Sequence, residues 1–157
     1  MEDIWNITAL VVSVLSVLLS LYALRQATTK NTSDMYLFFI SQYAKEDMKL
    51  ALRKLKDIKR GVYRLEQWES DMKNNLPKAF EYDEARRLVK YFYDTLAYMK
   101  LEKLIEARFV RLICLKKGAW LYLDTVEAME KFFDSGYDKK PYAVIRDVCE
   151  NLRKEGC

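Results

Sequence analysis

The chain has 157 residues, with 27 Lys and Arg against 23 Asp and Glu, a net charge of +4 and no histidine. Without histidine there is no Ser-His or Cys-His nucleophile pair, no histidine general base and almost no route to a His-containing zinc site. The three cysteines, Cys114, Cys149 and Cys157, are odd in number and lack CxxC spacing, so they read as free thiols of a reducing compartment.

The first predicted element is the uncharged run Ile4 to Leu24. At ~1.5 Å per residue a helix of this length covers ~31 Å, close to the ~30 Å hydrocarbon core of a bilayer. Trp5 and Tyr22 stand near its ends, where amphipathic rings favour the headgroup level. A cleaved signal peptide would have a basic leader and a shorter apolar centre, whereas this leader carries Glu2 and Asp3. The first basic residues, Arg25 and Lys30, follow the run. The positive-inside rule then places the N-terminus outside and the rest in the cytoplasm, giving a single-pass protein of the cell inner (cytoplasmic) membrane.

Within this run the small or polar residues Asn6, Ala9, Ser13, Ser16, Ser20, Ala23 and Ala27 recur at alternating steps of three and four. Such spacing puts all seven on one face of a helix. That seam reads as a packing face between copies of the helix, or as the polar lining of a path between several copies. The plainer alternative is that each serine hydroxyl bonds its own i−4 carbonyl.

Residues 1–30 are therefore expected to form a transmembrane anchor with its flanks, and 31–157 a cytoplasmic helical domain. Apolar residues there recur at helical spacing with no strand alternation, which predicts an all-α bundle of about six helices. Asn31 to Asp34 supply caps for a helix over about 34–43. A second helix runs from about Lys45 to Lys59 and ends by Gly61, burying Met48, Ala51, Leu52, Leu55 and Ile58. A shorter stretch over 63–73 leads to the turn Asn74-Asn75-Leu76-Pro77. Asp83 is expected to cap the next helix, which turns Leu88, Val89, Phe92, Leu96 and Met99 inward. Another is expected from Glu102 to Leu115, closed by Lys116-Lys117 and a C′ glycine, Gly118. Residues 119–134 follow, with Trp120, Leu123, Val126, Met129 and Phe133 inward and Ser135-Gly136 as the stop. The last helix starts near Pro141 and buries Val144, Ile145, Val148 and Leu152. Cys114 and Cys149 fall in apolar helical patterns and read as small buried hydrophobes.

No Walker loop, GxGxxG or EF-hand loop occurs. The carboxylates Glu81, Asp83 and Glu84 precede Arg86 and Arg87 and read as cap and salt-bridge residues. No catalytic, cofactor or metal residue is assigned, and the chain is read as a non-enzyme. The sharpest polar feature is the basic face Lys49, Arg53, Lys54, Lys56, Lys59, Arg60 and Arg64. It suits anionic lipid headgroups, at about 1 kcal/mol per residue near the surface, and nucleic acid is the alternative ligand. A merely solvated helix face is the third reading. Tyr91, Phe92, Tyr93 and Tyr98 offer rings for base stacking but at helical spacing read as core.

The segments TTKNTSDMYLFFISQYAKEDMKLALRKLKD (28–57), EARRLVKYFYDTLAYMKLEKLIE (84–106) and GAWLYLDTVEAME (118–130), behind a single N-terminal span, resemble a family of uncharacterised prokaryotic proteins with one membrane helix and a small helical domain. That family brings no function with it. In architecture the chain is also similar to the small membrane accessory protein of type VI-B CRISPR systems. That resemblance implies an oligomeric membrane pore supporting antiviral defence beside an RNA-guided nuclease, and a domain related to the arginine/histidine ribonuclease fold. The chain departs from the ribonuclease signature, because Arg86 and Arg87 have no histidine partner. The expectation from the sequence is thus a membrane-anchored homo-oligomer forming a pore. The alternative is an anchor or scaffold whose helical domain recruits a protein, RNA or anionic lipid.

Overall fold

A computed structural model describes residues 16, 18–23, 33–133 and 137–156. The chain separates into two units, Met1–Met35 and Tyr36–Cys157. In the first, residues 18–23 are helical and exposed. Among the described residues no helix is long and apolar enough to cross a membrane. Most of the expected span Ile4–Leu24 lies outside them.

The described residues are all-α, with no strand among them. Helix α1 covers residues 33–44. It is followed by α2 (Glu46–Lys59), α3 (Leu65–Lys73), α4 (Pro77–Leu101), α5 (Ala107–Cys114) and α6 (Lys117–Leu121). A π-helical turn, Tyr122–Val126, joins α6 to α7 (Glu127–Phe133), and α8 spans Lys139–Lys154.

Three helices stop for the same backbone reason. At the end of α2 the Gly61 amide donates to the Ile58 carbonyl at 3.0 Å and the Val62 amide to Asp57 at 3.0 Å. After α3, Asn75 donates to Met72 at 3.1 Å and Leu76 to Asp71 at 2.9 Å. After α4, Lys103 donates to Lys100 at 3.2 Å and Leu104 to Met99 at 2.9 Å. Each is a Schellman closure, with Gly61, Asn75 and Lys103 at φ of 74°, 54° and 56° in the left-handed region.

The third closure overturns the expected helix over 102–115. Lysine carries no C′ signal, so the stop at Glu102 is invisible in the sequence, and the chain restarts only at Ala107. Two further expectations fail. Asp83 is no cap: α4 begins at Pro77, in the favoured N1 position, and Asp83 lies inside it, 1 % exposed. Gly118 is no C′ residue: it sits buried within α6. The last helix starts two residues before Pro141, at Lys139, where the Asp138 side chain accepts from the Lys140 amide at 2.9 Å.

Helix α4 is the axis of the second unit. Its buried face, including Val89, Phe92, Tyr93, Leu96 and Ala97, meets α2 on one side and α8 on the other. From α2 come Met48, Ala51, Leu55 and Ile58, while Leu52 is only partly buried. From α1, Phe39 meets Phe92 edge to face with ring centroids 5.3 Å apart. Trp68 of α3 is fully buried and donates its indole N–H to the Ala79 carbonyl at 3.2 Å, so its one polar atom is satisfied. A column of tyrosines crosses the core. Tyr93 stacks on Tyr122 at 5.1 Å, and Tyr122 lies almost parallel to Tyr142 at 4.5 Å. Cys114 and Cys149 are buried free thiols. The hydrogen bond to Cys149, with burial, pushes the Cys114 thiol far up and keeps it neutral.

Candidate functional site

Helix α2 presents its cations as a ladder. Lys49, Arg53, Lys56 and Arg60 are spaced four, three and four apart, so they share one face and extend over ~16 Å at ~1.5 Å per residue. Across from this face lies α6. Between the two helices is a cleft of about 700 Å³ lined by Lys49, Leu52, Arg53, Lys56, Lys59, Arg60, Lys117, Trp120 and Leu121. The six cations are exposed and form the rim. Leu121 is 7 % exposed and Leu52 half-buried, so the apolar floor is recessed below the charge. Trp120, 38 % exposed, offers a ring from the α6 wall.

The π-helical turn is what puts that ring there. One extra residue in a helical turn rotates the preceding helix by ~100° relative to the following one. Under uninterrupted α-helical spacing Trp120 would share the core stripe of Leu123, Val126 and Met129, as the sequence suggests. With the turn inserted, Ala119 and Tyr122 take the inward positions, both with no exposed surface, and Trp120 swings out into the cleft.

The charges are only partly offset. Glu46 pairs with Lys49 at 3.3 Å and approaches Arg53 at 3.9 Å, and Asp124 holds Lys59 at 2.5 Å. Lys56, Arg60 and Lys117 have no ion-pair partner within 4.0 Å among the described residues. Unpaired exposed cations around an apolar floor hold a local positive potential that attracts anions and is screened over ~8 Å at physiological salt.

Of the seven basic residues read from the sequence, the cleft gathers Lys49, Arg53, Lys56, Lys59 and Arg60. Lys54 does not join them: its ammonium donates to Glu81 of α4 at 3.0 Å. Arg64 stands at the N-cap of α3, apart from the cleft lining. The sequence places Lys117 at a helix end and Trp120 in a core stripe, but Lys117 opens α6 and Trp120 faces the cleft; Leu121 carries no signal that singles it out. Of the four rings considered for stacking, Phe92 and Tyr93 are core, while Tyr91 and Tyr98 are exposed at 75 % and 42 %. None of the four lines the cleft.

The seam read from the sequence is described only at Ser16, Ser20 and Ala23, which are helical and exposed. Ser20 Oγ donates to the Ser16 carbonyl at 2.8 Å, the i−4 bond expected of a serine in a helix. Asn6, Ala9, Ser13 and Ala27 lie outside the described residues.

A second polar cluster lies between α4 and α7, with Asp83, Arg86 and Glu130 buried at its centre and Arg87 exposed at its edge. Asp83 accepts from Arg86 Nε and pairs with Arg87, both at 2.7 Å. Arg86 also pairs with Glu130, and Lys90 reaches Asp94 at 2.5 Å and Glu130 at 3.8 Å. Tyr122 donates to Asp94 at 2.6 Å. Burial, followed by that bond, holds the Tyr122 phenol protonated far above its ordinary range. Every carboxylate here has a cation beside it, so the cluster clamps two helices and has no group set aside for a substrate. No family model, curated protein or solved structure matches the chain.

Proposed function

We propose that the protein is a recruitment module that binds a phosphate-bearing ligand in the α2–α6 cleft, with the apolar N-terminal run serving as its membrane tether. The observation that carries this reading is the convergence of six exposed cations from two helices around one recessed apolar floor. Binding rather than turnover is its role, since the cleft lining supplies no carboxylate, thiol or hydroxyl to act as base or nucleophile. This reading takes precedence over the pore, because the cleft cations converge from two helices on one apolar floor.

Fluorescently labelled inorganic polyphosphate titrated into the full-length chain in detergent tests it. Binding is expected at low ionic strength, and Lys56→Glu with Arg60→Glu is expected to weaken it by at least about tenfold. Arg64→Glu, a charge reversal outside the cleft, is expected to leave it almost intact, whereas Lys56→Glu alone, an equal charge change inside the cleft, is expected to weaken binding clearly. No binding at low salt, or an equal loss in Arg64→Glu, overturns the assignment.

A further inference from the structure

We propose that the ligand of this cleft is single-stranded nucleic acid, its phosphates following Lys49, Arg53, Lys56 and Arg60 and one base stacked on the Trp120 indole. The inference rests on the anion-binding reading above and narrows it to one class of ligand. The cation ladder is the first reason. A line of charge ~16 Å long on one helix face matches a strand of successive phosphates better than a single headgroup.

Trp120 is the second reason. Phosphate alone makes no use of an indole, whereas stacking a base on an aromatic ring is worth ~1–3 kcal/mol. In a duplex the bases stack on each other and their faces are closed to a side chain, so the ring selects unpaired strands. A bilayer is disfavoured by the order of the layers. Membrane-surface elements carry their apolar side chains outermost, but here Leu52 and Leu121 lie beneath a rim of exposed Lys and Arg.

The lining residues also bear on selectivity. Only Lys, Arg, Leu and Trp line the cleft, with no Asn, Gln, Asp or Glu to read a base edge by paired donors and acceptors. Edge readout is therefore limited to the two acceptors that guanine offers an arginine, with stacking strength setting any further preference among bases.

The test is fluorescence anisotropy on the full-length chain in detergent micelles. The probes are a labelled single-stranded oligouridine, the deoxy strand of the same length, a duplex and polyphosphate, with phosphatidylserine vesicles in a flotation assay. The single strands are expected to bind most tightly, and log K should fall with log salt at a slope of about −3, as for four phosphate contacts. Trp120→Ala is expected to weaken single-strand binding about tenfold and leave polyphosphate binding unchanged, while Trp120→Phe keeps most of the affinity. Circular dichroism of both variants checks the fold, and if Trp120→Ala unfolds, quenching of indole fluorescence by oligouridine in the unaltered chain, absent in Trp120→Phe, decides. Polyphosphate binding as tight as the strand's with no effect of either Trp120 variant overturns the nucleic-acid assignment and leaves the anion-binding reading standing. Preference for phosphatidylserine vesicles overturns it in favour of a lipid surface. Failure of every polyanion overturns both readings together.

Discussion

Gly118 shows how one residue type is imposed by its neighbours. A Cβ at this position would lie 2.8 Å from the Tyr93 hydroxyl and 2.9 Å from that of Tyr43. The Gly118 amide meanwhile donates to the Tyr43 hydroxyl at 3.2 Å. Glycine is required by close approach, since its backbone is helical and a left-handed conformation plays no part. Gly118→Ala is expected to destabilise the domain by about 1–3 kcal/mol through overpacking. A lower urea midpoint with an unchanged slope checks this, and an unaltered midpoint would show that the two tyrosines yield freely. Nothing in the sequence around Lys117-Gly118-Ala119 distinguishes such a glycine from a helix stop, because both of its neighbours across the gap come from distant helices.

At the scale of elements, the Schellman closures separate what pattern reveals from what it hides. The stop after Lys59 was legible because Gly61 follows, and the turn after Lys73 because Asn74 and Asn75 precede Pro77. The closure at Lys103 has identical hydrogen bonds but a side chain that pays for the left-handed conformation. Lys103→Gly relieves that strain while adding chain entropy to the unfolded state, for a net gain of about 0.5 kcal/mol. The expected readout is a thermal midpoint a few degrees higher, while a fall would mean that the lysine stem makes packing contacts that outweigh its backbone strain. The π-helical turn is the other element-scale surprise. It lets Tyr122, Leu123 and Val126 all face inward, at 0 %, 4 % and 0 % exposure, and the same insertion turns Trp120 into the cleft.

For the whole molecule, the concentration of tyrosine in the core has a consequence at high pH. Burial raises the phenols of Tyr63, Tyr93, Tyr122 and Tyr142, and burial with a bond to Glu127 pushes Tyr137 up to about 12. Folded values above the unfolded value of about 10 mean that this stabilisation is intact below about pH 10 and is lost as pH climbs above it through the folded values. The part of the phenolate absorbance that belongs to these buried rings is therefore expected to appear together with the loss of helical circular dichroism at alkaline pH. Smooth titration of all the tyrosines near pH 10 with the helices intact would contradict the buried column. The clamp of Asp83, Arg86 and Glu130 spans the same core, joining α4 to α7 where the tyrosine stack joins α4 to α8.

Sequence alone determined the all-α class, the order of most helices and the basic character of α2, because these depend on periodicity and local charge within a few turns. It also marked Cys114, Cys149 and most of the α2 stripe as buried, since an apolar residue in register with others has one favourable side to face. Tertiary structure alone decided that Asp83 is buried, that Gly118 lies under two hydroxyls and that Lys117 and Trp120 face the α2 cations. Those outcomes depend on contacts between helices far apart in the chain and on a single inserted residue, which rotates a side chain from core to cleft without leaving any mark on composition or spacing.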